Sequence, residues 1–201
     1  MILTKTARLF LAAAALCAAA NATSVFNFDN DGLGTSTGFT DTNNGISATF
    51  TSTADPGSFV VYASMFDTLT GNVLGDPGPA GQGGLALAVN FSTDLASVSL
   101  DFATADFGTP SPLIITGYEN STLVGSTSAT GSVPAGYEFP EGAITFSGGP
   151  FNNIVISSAA PDFAVDNIDV TAAPEPAVVG LVGLGLLSLA VPVLRRRFLA
   201  R

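Results

Sequence analysis

Asp29-Asn30-Asp31-Gly32 sets side-chain oxygens at alternate positions ahead of a glycine turn. Hard cations such as Ca²⁺ collect oxygen ligands of this kind. The full EF-hand spacing is absent, since no Glu stands at the twelfth position of the loop. The plainer reading of the segment is an acidic turn. Tyr137 sits in Ala135-Gly136-Tyr137-Glu138, a stretch with loop composition. An exposed aromatic beside an acid suits contact with a sugar, and it equally suits a loop residue packed on its own domain.

The remaining chemistry is defined by what is missing. All six basic residues lie near the chain ends: Lys5, Arg8, Arg195, Arg196, Arg197 and Arg201. The sixteen acidic residues run from Asp29 to Glu175, and histidine is absent. The only cysteine, Cys17, falls in the N-terminal apolar run, with Leu16 where a lipoprotein needs a small residue. Residues 23–173 therefore contain no Lys, Arg, His or Cys. Ser-His-Asp and Cys-His sites, histidine-zinc sites and lysine bases are excluded there, as are disulfides. Two carboxylates suffice for glycoside hydrolysis. With so many acids, however, some pair stands at a workable distance by chance, and solvated surface carboxylates are the simpler account. We expect no enzyme. Nucleic acid is excluded as a partner, because nothing in this stretch neutralises phosphate.

The ends carry targeting signals. Lys5 and Arg8 precede the apolar run Leu9–Ala19, and Ala20-Asn21-Ala22 is a small-x-small cleavage site. Residues 1–22 read as a secretory signal peptide. At the other end, Pro174-Glu175-Pro176 leads into an uncharged stretch over 177–194, then Arg195-Arg196-Arg197. As a helix the stretch would measure about 27 Å, close to the hydrocarbon thickness of a bilayer. The arginines should stay cytoplasmic, leaving the domain outside.

Residues 174–201 resemble the PEP-CTERM sorting signal, through Pro174, Glu175, Pro176, the glycine-rich span and Arg195, Arg196 and Arg197. The resemblance implies recognition by an exosortase-type processing enzyme in a Gram-negative bacterium that makes an exopolysaccharide or biofilm matrix. It also implies export to the cell envelope, cell surface or extracellular matrix.

The elements between must be strands. Leu85, Leu87, Val89 and Phe91 alternate with small or polar residues, as do Val98, Leu100 and Phe102. Further candidates are Val25–Phe28, Gly38–Asp41, Ile46–Thr51, Phe59–Tyr62, Leu113–Tyr118, Leu123–Ser128, Ala143–Phe146, Asn153–Ser157 and Phe163–Val170. Asn44-Gly45 predicts a type I′ hairpin, and Glu119-Asn120 with Ser121-Thr122 turns another. Asp55-Pro56-Gly57 is a turn, and 76–84 is a Gly/Pro-rich loop. About eleven short strands without a helix predict an all-β, two-sheet sandwich over 23–173.

The closing stretch Phe163–Val170, with Leu113–Ser128, resembles jelly-roll carbohydrate-binding and galactose-binding-like modules. That resemblance implies a structural Ca²⁺ bridging first and last strands, with Asp29 and Asp166 at the matching positions; Asp31 and Asp169 are neighbours without an assigned role. The competing reading is a strand-end Asp166 that caps backbone amides. Two functions follow. One is a non-catalytic surface or matrix protein that binds polysaccharide; the other is a small carboxylate-dependent hydrolase or lyase acting on matrix glycans.

Overall fold

Alternation of apolar and polar residues makes a strand with one face for the core and one for water. The computed structural model, which describes residues 22–52, 59–76, 86–106 and 109–174, turns that pattern into ten strands and no helix among the described residues. They are β1 (Thr23–Phe26), β2 (Phe39–Asn43), β3 (Ile46–Ser52), β4 (Val60–Ala63), β5 (Asn72–Gly75), β6 (Ala86–Thr104), β7 (Leu113–Glu119), β8 (Thr122–Ala129), β9 (Glu141–Ser158) and β10 (Phe163–Ala172). All pairings between them are antiparallel.

The expected eleven short strands become ten by two fusions and one addition. Residues 86–91 of the Leu85–Phe91 candidate and Val98–Phe102 belong to the single strand β6, and Ala143–Phe146 and Asn153–Ser157 to β9; Leu85 lies outside the described residues. β5 was not expected. The fused strands have a physical break in phase. Inward residues of β6 are Leu87, Val89 and Phe91, then Leu95, then Val98, Leu100 and Phe102. The register against β9 slips between Asn90 and Leu95 and again between Leu95 and Ser97. Such bulges bend a strand and let it pass from one sheet to another.

The bend builds the sandwich. The first half of β6 pairs with β3, and the second half pairs with β10. One layer therefore reads β2-β3-β6-β9-β7-β8, and the other reads β4-β5-β10-β6-β9, with β1 alongside β10. A shared core fills the space between, including Phe26, Phe50, Phe102, Phe151, Leu100 and Ile156. The edge of β1 is tied to the other layer by turn asparagines. Asn43 Nδ2 donates to the Val25 carbonyl at 2.7 Å, and Asn44 Nδ2 to the Thr23 carbonyl at 3.0 Å. Unpaired edge backbone is thereby covered.

Both expected hairpins form. Asn44 (φ 48°) and Gly45 (φ 81°) connect β2 to β3, and Asn120 (φ 47°) and Ser121 (φ 70°) connect β7 to β8. Positive φ at both central residues is the type I′ signature.

Residues 22–173 form one compact unit. Residues 1–21 of the expected 1–22 signal peptide, Asp55-Pro56-Gly57, most of the 76–84 loop, Glu175, Pro176, the expected 177–194 span and Arg195–Arg197 lie outside the described residues. Among the described residues, no helix is long and apolar enough to cross a membrane.

Candidate functional site

Two places concentrate chemistry. The first lies where β1 ends against β10. Asp166 faces Asp101 across the β10–β6 ladder, and the register slips just after it. The extra residue, Asn167, takes φ 49°, and its Nδ2 donates to Asp101 Oδ2 at 3.0 Å. A bulge of this kind turns the strand locally and re-aims side chains. Asp166 is fully buried. Its Oδ1 accepts from the Asn167 amide at 2.7 Å, whereas Oδ2 has no hydrogen-bond partner.

Asp29 reaches the same place from the other side. Phe28 before it adopts φ 58°, a left-handed conformation that costs a bulky residue energy and persists because the ring is locked in the core. Asp29 Oδ1 accepts from the Asn72 amide at 2.9 Å. Asn72 Nδ2 also bonds the carbonyls of Phe28 (3.4 Å) and Asp31 (3.3 Å), tying the two turns together. Gly71 makes this closure possible. Its φ is +76°, and a Cβ there would fall 1.9 Å from Asp29 Oδ1.

Burial pushes the Asp166 carboxyl up to about 6, and the negative charges of Asp29 and Asp101 push the same way. The amides of Asn167 and Thr70 oppose the rise. Two acids from opposite ends of the domain thus share one electrostatic neighbourhood, and nothing basic offsets them. Among the described residues, no three acidic side chains form a metal-binding group. A cation held by Asp29 and Asp166 would need backbone or amide oxygens and water to complete its shell. The Asp31 carboxyl is raised by burial and then by Asp41.

The second place is the outer face of the β2-β3-β6-β9-β7-β8 layer. One cross-strand row runs Thr40–Thr49–Asn90–Asn153–Tyr118–Leu123 through successive ladders. Thr40 and Thr49 share a hydroxyl hydrogen bond at 2.8 Å, and Asn153 Nδ2 donates to Asn90 Oδ1 at 2.6 Å. At the β7 end a shallow groove of about 470 Å³ opens between Asn90, Tyr118, Asn120, Asn152 and Asn153. Asn152 is held by Asn120 and by Asp94, whose Oδ1 accepts from its Nδ2 at 3.2 Å. No charged side chain lines the groove. Amides offer donors and acceptors together, and a tyrosine ring offers a stacking face; hydroxyl-rich rings match both.

Tyr137 is 40 % exposed in the loop before β9. Its hydroxyl bonds the Asp67 carboxylate, whose negative charge, ahead of slight burial, raises the phenol. It does not line the groove. Glu141 is buried and spends its carboxylate on structure, accepting from the amides of Asp67 (3.0 Å) and Thr68 (2.7 Å) and from the Thr68 hydroxyl (2.7 Å). The groove escaped the sequence reading because its residues come from separate strands, and only strand register brings Asn90, Asn153 and Tyr118 side by side.

No family model matches the chain, and no curated protein matches it. Solved structures do. The K2 cleaved adhesin domain of Lys-gingipain shares 13% identity over 74% of this chain and 99% of its own, with a TM-score of 0.48. A family 35 carbohydrate-binding module from Clostridium thermocellum shares 17% over 76% and 99%, with a TM-score of 0.40. The CBM22-1 xylan-binding domain of Paenibacillus barcinonensis Xyn10C shares 10% over 80% and 98%, with a TM-score of 0.39.

Proposed function

We propose that this chain is an exported, non-catalytic surface or matrix protein whose sandwich binds neutral polysaccharide. The observation that carries the reading is the uncharged groove of Asn90, Asn153, Asn152, Asn120 and Tyr118 in a domain whose other polar chemistry is acidic. With no base between residues 23 and 173, a uronate or sulfated polymer is repelled, and a neutral one is not. Affinity electrophoresis tests the site. Tyr118→Ala should weaken retardation by a bound neutral glycan about fivefold or more, since loss of one stacking ring typically costs ~1 kcal/mol or more. Unchanged retardation would remove the groove from the account.

A structural Ca²⁺ between Asp29 and Asp166 belongs to the same proposal. It is supported by the buried, unpartnered Asp166 Oδ2 and by the shared electrostatics of the two carboxylates. The jelly-roll assignment and the sorting tail belong to it too. The domain would be delivered by the 1–22 leader and handled by an exosortase-type enzyme at Pro174-Glu175-Pro176, with 177–194 in the membrane before processing. Mass spectrometry of surface-exposed protein should find chains that lack Arg195–Arg201; recovery of only intact chains ending in Arg201 would rule out processing.

One observation favours the hydrolase or lyase reading. Asp76 and Asp162 line an aromatic-walled cavity. Its volume, about 180 Å³, is small for sugars on both sides of a scissile bond.

A further inference from the structure

The cavity beside Asp76 and Asp162 has a chemistry of its own. It opens at the end of the sandwich where β6 finishes and β10 begins, roofed by the β4–β5 connection. Its walls are Tyr62, Phe66, Phe139 and Met65. Phe66 and Phe139 meet edge to face, with centroids 5.9 Å apart at 70°. Aromatic faces carry negative potential and attract cations.

The polar groups tell the same story. Asp162 is 9 % exposed and Thr104 is 1 % exposed, and both line the cavity. Asp162 Oδ1 and Thr104 Oγ1 are buried without any hydrogen-bond partner. Burial, then Asp76, raises the Asp162 carboxyl. Burial, then Asp162 and Asp76, pushes the Tyr62 phenol up to about 12. Two carboxylates and a phenol therefore crowd an apolar pocket, and no residue from 23 to 173 can supply a positive charge. A desolvated carboxylate without a counter-charge is costly, and a bound cation would remove that cost.

The geometry points to a ligand with a protonated primary amine on a compact ring: we infer that this pocket binds a 2-amino-2-deoxy sugar with its amine free. The unpartnered Asp162 and Thr104 oxygens call for N–H donors, which a quaternary ammonium lacks. The aromatic walls suit the apolar face of a sugar ring, and about 180 Å³ suits one ring rather than a chain. This rests on the polysaccharide-binding reading for the choice of a sugar, but not on the neutral groove.

Titration calorimetry of the protein with glucosamine and with N-acetylglucosamine, at one pH and ionic strength, tests it. Glucosamine should bind at least tenfold more tightly, because acetylation removes the charge. Asp162→Asn and, separately, Tyr62→Phe should each reduce glucosamine binding. Equal binding of the two sugars by the parent protein would overturn the inference without any variant. Binding of lysine amide as tight as that of glucosamine would overturn the sugar, leaving an amine cage. Cleavage of glucosamine oligomers, read as new reducing ends lost in Asp162→Asn, would assign the acid pair to catalysis and overturn it as well. Loss of glucosamine binding with Tyr118→Ala would move the site to the groove.

Discussion

Millimolar Ca²⁺ should raise the melting temperature of this protein well beyond the effect of NaCl at matched ionic strength. Ordinary salt screens the acidic domain as a whole. A cation bound only by the folded state adds a separate stabilisation, roughly 2.7 kcal/mol at one hundred times its dissociation constant. Asp166→Ala should remove most of the Ca²⁺ excess and leave the NaCl effect intact. Equal shifts from Ca²⁺ and matched NaCl in both proteins would leave only screening.

The cation-free protein should show the complementary pH dependence. Asp166 is raised from 3.8 to about 6, so between those values the folded state keeps a proton that the unfolded chain has released. Stability must then fall as the pH rises through that window, by an amount on the order of 3 kcal/mol at most. The groups facing Asp166 are Asp29 and Asp101, both acidic, so no partner reverses the sign. A cation-free melting temperature that climbs between pH 4 and 6 in the parent, relative to Asp166→Asn, would contradict the burial of this carboxylate.

Phe50→Ala should cost about 3–5 kcal/mol, the usual range for deleting a buried phenylalanine ring. Phe50 is fully buried. It contacts Phe26 at 6.2 Å, Phe28 at 5.3 Å and Phe39 at 5.0 Å between centroids. It therefore joins β1, β2 and the turn that carries Asp29. Loss of that ring removes about a third or more of a typical domain stability. It also frees Phe28 from the packing that holds its left-handed backbone, so the Ca²⁺ response should shrink in the same variant. Urea unfolding with and without Ca²⁺ reads both effects. A cost under 1 kcal/mol would mean the aromatic cluster does not bind the layers together.

Local chemistry was legible in the sequence where one strand or turn carries it. Leu87, Val89 and Phe91 alternate visibly, and Asn44-Gly45 encodes its own turn. β5 was not legible, because Asn72-Val73-Leu74-Gly75 has no alternation and Val73, Leu74 and Gly75 are all buried. The fused strands were not legible either: Ser92-Thr93-Asp94 and Gly148-Gly149-Pro150 read as connections, yet the ladder continues across them with bulges. Asp29 and Asp166 were paired through resemblance alone, since 137 positions separate them in the chain. The groove and the amine pocket depend on lateral register between strands, which one sequence does not display.

The central claim is a domain that holds neutral polysaccharide without cleaving it. Retardation of the protein in native gels cast with a neutral glucan or xylan, compared with a polyuronate, tests it most directly when the polymer is then assayed for new reducing ends. The account predicts retardation in at least one neutral gel, none in the polyuronate gel, loss of retardation with Tyr118→Ala, and no new reducing ends. Retardation by the polyuronate alone, or depolymerisation of the neutral polymer, would contradict it.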